Sequence, residues 1–296
     1  MPRVLAVGLC TLDLVYAAAA APGPDEKVQA SAQEVAAGGP ATGAAVTAAA
    51  LGSEVTLATA LGTHPLAAVA AAEVRSRGVA VLDATPAAAD PPAVSSAVVA
   101  ADGRRSVVSV NAGGLVADPP AGLAELAAGA AAVLVDGHHP RLALAAARAG
   151  RPVLLDGGSW KPVLPELLPL VQVAVFSSAF RLPGIGTAWE SAVAAQAAYQ
   201  VPFVAVTAGP EPVRWAAGGR AGTVPVPPVR AVDTLGAGDA YHGALLHALA
   251  GTGAAVHAVV DALAYAAEVA AVRCGSGGPR RWLADPALRR LRAGQG

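Results

Sequence analysis

The sequence predicts an α/β fold with a mostly parallel central sheet and helices on both of its faces. Two observations predict it. Short β-branched runs alternate with Ala/Leu-rich runs of helical length, the pattern of repeated strand–helix–strand units. Hydrophobic residues make up 54% of the 296 residues and charged residues only 14%, which supplies a large core and excludes a disordered chain.

In chain order, Val4–Leu9 is an apolar run broken at Gly8 and reads as the first buried strand. Ala41–Leu51 follows Pro40, which suits a first helical position, and Gly52 ends it. The same alternation gives strands at Val55–Ala60, Ala80–Asp83, Ala132–Asp136, Val153–Asp156, Val171–Phe176 and Phe203–Thr207. Between and after them fall helices at Leu66–Arg77, Arg141–Ala149, Ala188–Tyr199 and Ala254–Val272. An extended run at Thr223–Val229 precedes a helical one at Ala240–Ala250. One segment breaks the rhythm: Ser95–Ala101 and Arg104–Val110 flank Asp102-Gly103, a dipeptide suited to a tight hairpin turn. Asp25–Ala36 is polar enough to be exposed. The Ala tracts read as helix rather than linker, so one domain spans residues 1–296.

A formal net charge of −1 leaves no basic footprint for nucleic acid or an anionic membrane. Cys10 and Cys274 are far apart and fit neither a metal spacing nor a disulfide scaffold, which points to a reducing, cytoplasmic setting. The N-terminal apolar run to Ala21 could mimic a signal peptide, but Asp13 interrupts it. No stretch reaches the roughly 18 uninterrupted apolar residues of a spanning helix.

The most informative segment is Asp233-Thr-Leu-Gly-Ala-Gly-Asp239-Ala-Tyr241. Gly236 and Gly238 let the backbone turn sharply and aim N–H groups at one point. That point lies at a helix N-terminus, where the dipole and unpaired donors favour an anion such as phosphate. A carboxylate at Asp239 would repel that phosphate. It suits instead a base that takes a proton from a hydroxyl attacking the phosphate. Taken alone, a Gly-x-Gly followed by Asp is more often an ordinary strand-to-helix turn.

The full string resembles the C-terminal signature of the ribokinase-like (PfkB) carbohydrate kinases. Ala37-Gly38-Gly39-Pro40-Ala-Thr-Gly43 is similar to the family's Gly-Gly motif, with Pro40 and Gly43 where Asn is frequent. Arg230 to Asp239, Gly8-x-x-x-x-Asp13 and Arg273-Cys-Gly resemble ketohexokinase-like members, whereas Lys27, Gly39-Pro40-Ala and Asn111 resemble bacterial sulfofructose kinases. The resemblance runs from Val4 to about Gly277. It implies a three-layer sandwich with a small β-sheet lid, built from segments near residues 14–37 and 94–112, that covers the sugar and pairs in a homodimer.

By resemblance, Asp239 is the catalytic base, and Gly236, Ala237 and Gly238 donate to the transferred phosphoryl group. Asp13, Gly38 and Gly39 hold the sugar. Lys27, Asn111, His138 and Arg141 are further polar candidates on that side, with Lys27 a point charge for an anionic substituent. The plainer readings are Asp13 as a loop residue capping N–H groups, the lesser of its two readings, Asn111 equally as a turn residue, and Lys27 more often as a solvated charge. Thr207, Gly209, Thr234, Gly236, Gly238 and Cys274 are assigned to the nucleotide. Asp233 and Gly275 are assigned to a monovalent cation, K+. The family's Asn-x-x-Glu is replaced by Ser177-Ser178-Ala179-Phe180, which leaves Asp156 for the magnesium shell.

These residues imply an ATP- and Mg2+-dependent sugar kinase acting on a hydroxymethyl group, with a ketose as acceptor. Two readings stand beside it: a nucleoside kinase of the same family, and a catalytically silent sugar- or nucleotide-binding protein. The missing Asn-x-x-Glu favours the silent protein; the intact Asp239 argues against it.

Overall fold

The computed structural model describes residues 1–112, 114–150 and 152–294. Its elements are β1 Arg3–Val7, β2 Thr11–Ala18, β3 Ala32–Gly38, α1 Pro40–Leu51, β4 Glu54–Thr59, α2 Pro65–Ser76 and β5 Val79–Asp83. Then follow β6 Val94–Ala100, β7 Arg105–Ser109, α3 Leu123–Gly129, β8 Ala132–Val135, α4 Pro140–Ala149, β9 Val153–Gly157, α5 Leu164–Leu167 and β10 Val173–Ser177. The chain closes with α6 Ala188–Tyr199, β11 Phe203–Ala208, β12 Glu211–Ala217, β13 Arg220–Val224, α7 Ala237–Thr252, α8 Val256–Cys274 and α9 Pro286–Ala293.

The large sheet has the order β13-β12-β11-β10-β9-β8-β1-β4-β5. From β11 to β5 every pairing is parallel. Successive strand residues alternate between two cores, as a period of two requires. Val4, Ala6, Val55 and Leu57 pack with α1, α2, α7 and α8 on one face. Leu5, Val7, Val133 and Val135 pack with α3, α4, α5 and α6 on the other. Among the described residues no helix is long and apolar enough to cross a membrane.

A second sheet stands apart from the first, in the order β3-β2-β6-β7. The hairpin at Asp102-Gly103 forms as its dipeptide predicts, with Gly103 at φ +81° and Asp102 Oδ1 accepting the Arg104 N–H at 3.0 Å. The lid differs from the sequence expectation in its inner strand. Asp13 does not lie in a loop but within β2, which pairs with both β3 and β6. Only the end of the Asp25–Ala36 segment is strand, since β3 begins at Ala32.

The antiparallel β12 and β13 at the sheet's edge also depart from the expected alternation. Gly209, Gly218 and Gly219 make their turns in the left-handed region. The expected extended run to Val229 pairs only as far as Val224, because Pro225, Pro227 and Pro228 have no N–H to donate. Helix α7 starts at Ala237, earlier than the expected Ala240, so Asp239 lies inside its first turn.

The site depends on how closely α1 and α7 approach. A Cβ on Gly243 would stand 2.4 Å from the Ala44 carbonyl oxygen and 2.6 Å from Thr47 Cβ. Backbone is therefore in contact with backbone at this crossing. Gly243→Val is expected to cost about 1–3 kcal/mol of stability or more, the range for overpacking a tight core. Urea unfolding should show a lowered midpoint with an unchanged slope; an unaltered midpoint would refute this packing.

Candidate active site

Gly236 caps α7 at φ +74°, a left-handed geometry that favours glycine, and no side chain caps the helix. The Ala237 N–H reaches the Thr234 carbonyl at 3.3 Å, and a helix start without a side-chain cap suits an anion. Asp239, in that turn, faces a cavity lined by Asp13, Gly38, Gly43, Gly236, Arg273, Arg280 and Trp282, among others. The small sheet thus contributes to the cavity: Asp13 comes from β2 and Gly38 from β3.

The glycines here are places of close approach. A Cβ on Gly38 would stand 1.9 Å from Asp13 Oδ2, so Asp13 lies directly over the Gly-Gly turn. Gly39 has φ +94°, and a Cβ there would meet the Leu9 carbonyl oxygen at 2.4 Å. A Cβ on Gly43 would stand 2.5 Å from Asp239 Cβ, so helix α1 abuts Asp239 itself. Position 43, which resemblance assigns to a frequent Asn, is here the clearance that Asp239 needs.

Electrostatics separate the two carboxyls in degree. Crowding by protein pushes the Asp239 carboxyl up to about 7; Asp156 and Asp13 add to the rise, while His242 and Arg280 oppose it. Asp13 is also raised by burial, against hydrogen bonds from Thr11 and Ser95 and the Arg280 charge. Thr11 Oγ1 donates to Asp13 Oδ1 at 2.5 Å. Asp156, buried at the end of β9, has its Oδ2 3.3 Å from His242 Nδ1.

Asp136, at the end of β8, ties the surrounding loops together. Its Oδ2 accepts N–H groups of Leu9 at 2.9 Å and Ala41 at 3.2 Å, and its Oδ1 accepts that of His138 at 2.9 Å. Burial alone would raise its carboxyl, but the nearby His138 and these bonds hold it well below the usual carboxylate range. It thus fixes the start of α1 and with it the Gly-Gly turn.

Other expected residues lie elsewhere. His138 packs on Asp136 with Nδ1 3.1 Å from Oδ1. Arg141 pairs with Asp118 on the surface. Lys27 is exposed in the segment before β3, and Asn111 is exposed after β7 at φ 51°; neither lines the cavity. Thr207 ends the parallel part of the sheet, with its hydroxyl 3.4 Å from the Phe176 carbonyl, and Gly209 makes the next turn. The Thr234 hydroxyl accepts from Arg105 Nη1 of the lid. The carbonyl of Cys274 receives the Val232 and Asp233 N–H groups. Gly275 closes α8.

Asp233 is committed to Arg273, a fully buried arginine. Its Nη2 donates to Asp233 Oδ2 at 3.0 Å, and its Nη1 to the carbonyls of Ser276 at 2.9 Å and Asp233 at 3.4 Å. The Gly278 N–H adds to Oδ2 at 3.2 Å. Of the two residues assigned to a monovalent cation, Asp233 thus already pairs with a guanidinium.

Sequence reading missed Glu73, Arg280 and Trp282. Glu73 and Arg280 are joined although 207 residues apart, a pairing no local pattern signals.

A model of the pfkB family carbohydrate kinases matches residues 1–285. The chain belongs to this family. It is therefore a sugar kinase, a phosphotransferase with an alcohol acceptor. Solved structures agree in fold. A candidate ribokinase from Agrobacterium tumefaciens is 27% identical, with a TM-score of 0.84 over 99% of this chain and 97% of that one. A ribokinase from Arabidopsis thaliana, complexed with ribose and ATP, is 22% identical, with a TM-score of 0.76 over 98% of both chains. A microbiome-derived acarbose kinase is 20% identical, with a TM-score of 0.80 over 99% of both chains.

The raised Asp239 carboxyl sets a pH dependence. A base must be ionised, so kcat/KM for the acceptor should rise with pH through about 7 and fall below it. Asp156→Asn removes a neighbour that raises this group, so the rise should move to lower pH. A midpoint unmoved by that substitution would contradict the coupling.

Proposed function

We propose that this chain transfers the γ-phosphoryl group of ATP to a hydroxymethyl group of a sugar, with Asp239 as the base. The observation that carries this is one cavity holding the uncapped α7 N-terminus, the Asp239 carboxyl and Asp13. The acceptor hydroxyl gives its proton to Asp239 as its oxygen bonds to the γ-phosphorus. The bond from that phosphorus to the ADP oxygen breaks. Backbone N–H groups at Gly236, Ala237 and Gly238 meet the charge on the transferred group, so positioning and electrostatics do most of the chemistry. Asp13 and the Gly38-Gly39 turn orient the sugar. The nucleotide is assigned to Thr207, Gly209, Thr234 and Cys274.

Among the described residues no group of three or more His, Cys, Asp or Glu could hold a metal by itself. The single buried carboxylate of Asp156 suits magnesium, which keeps several waters and binds through one or two carboxylates plus phosphates. Asp156 is the residue assigned to its shell, where the ion would offset phosphate charge.

A ketose is the acceptor favoured by the ketohexokinase-like motifs around Asp13, Arg273 and Asp239. The lid also supports a homodimer. Strand β7 is an edge exposed along its length, and Val35, Val107 and Val108 stand uncovered on the same sheet. ADP release should be measured with ATP and Mg2+ against fructose, ribose and adenosine. Fructose is expected to give the highest kcat/KM. A higher value for ribose would overturn the ketose assignment, a higher value for adenosine would make the chain a nucleoside kinase, and no turnover on any sugar would remove the proposed activity.

A further inference from the structure

Arg280 lies in the segment between α8 and α9 and shares the cavity with Asp13 and Asp239. Its guanidinium is held on two edges. Nε donates to Glu73 Oε1 at 3.0 Å and Nη2 to Glu73 Oε2 at 3.2 Å, a bidentate pairing, while Nη2 also donates to the Ala37 carbonyl. Glu73 in turn accepts the Ala37 N–H at 3.3 Å and Arg77 Nε at 2.9 Å. The guanidinium is thereby locked to α2 and to the residue just before the Gly-Gly turn.

The third edge is different. Nη1 meets only the carbonyl of the adjacent Pro279, at 3.4 Å, the long limit of a hydrogen bond. A guanidinium carries five N–H donors. At least one N–H on Nη1 therefore has no partner among the described residues. The cation also lies close enough to lower the proton affinity of both Asp13 and Asp239. A rigid donor with a free edge, placed beside both carboxyls of the site, suits contact with a ligand more than a purely structural clamp.

Charge balance narrows the ligand. Glu73 pairs with Arg280 and also with Arg77, which does not line the cavity, and Asp233 compensates Arg273. The carboxylates of Asp13 and Asp239 then face the acceptor without a spare cation. They accept hydroxyl protons and repel anions at this distance. We propose that Arg280, clamped by Glu73, is a substrate-contact residue that donates through Nη1 to an oxygen of a neutral polyhydroxyl acceptor, and that this cavity selects against acceptors carrying a phosphate or sulfonate. The proposal rests on the kinase reading for its choice of acceptor and makes Arg280, not the exposed Lys27, the cation that reads it.

The test uses the full chain and compares wild type with Arg280→Lys and Arg280→Met. Fructose and ribose binding is followed by calorimetry without ATP, and turnover is measured on fructose, ribose and fructose 6-phosphate. For the better-used neutral sugar, both variants should weaken binding and raise its KM by about tenfold or more, the size of one lost charge-assisted hydrogen bond. KM for ATP should stay within twofold. Arg280→Lys keeps the charge but loses the fork, so it guards against a failure of Arg280→Met to fold. Equal changes in the sugar and ATP constants would mark Arg280 as merely structural and overturn the proposal. Sugar constants within twofold of wild type in Arg280→Lys would do the same, as would a higher kcat/KM for fructose 6-phosphate than for both neutral sugars. Sugar binding that depends on Arg280 without any ATP turnover would uphold this inference while removing the kinase reading. Turnover insensitive to Arg280 would do the reverse.

Discussion

The contact of α1 with α7 organises the rest of the site. Two glycines make it possible, Gly43 on α1 and Gly243 on α7. Each occupies a point where a Cβ would stand within about 2.5 Å of the facing helix. The first lets Asp239 lie against α1, and the second brings the helix backbones together one turn later. Because α1 begins at the Gly-Gly turn, this one crossing sets the distance from Asp239 to that turn. Asp136 fixes the start of α1 through the Ala41 N–H. A phosphoryl-transfer site works mainly by position, so a tight helix crossing pinned at its start is a sound foundation for it.

Around that crossing, charges are paired so that the site itself stays unbalanced. Arg273 is spent on Asp233, Arg280 on Glu73, and His242 lies against Asp156. What remains is a pair of carboxyls, Asp13 and Asp239, opposite a helix N-terminus. In the proposed reaction the carboxyls receive hydroxyl protons, and the N-terminus receives phosphate. Raising Asp239 towards neutrality gives it a proton affinity suited to general-base work near pH 7.

Much of this was legible in the sequence because it is local. The Asp233–Tyr241 string carries its own turn, helix start and carboxylate, and Pro40 announces the start of α1. The parallel strands showed through their β-branched runs. What escaped reading depends on distant partners. Asp13 resembled a loop residue because its strand pairs with segments many residues away, β3 and β6. Glu73 and Arg280 carry no motif, and their roles arise only when α2 meets the chain after α8. Lys27, singled out as one of two lysines, is exposed away from the cavity, since a rare residue type is not by itself a placed one.

The central claim is that Asp239 takes the acceptor's proton. Its most direct test is the rate of phosphoryl transfer in Asp239→Asn at saturating ATP and sugar, with nucleotide binding and folding checked on the same sample. The account predicts a fall of about 10²–10⁴ in kcat, the usual size of a general-base contribution, with ATP affinity and the unfolding midpoint retained. A variant that folds, binds ATP and keeps more than about a tenth of the wild-type kcat would contradict it.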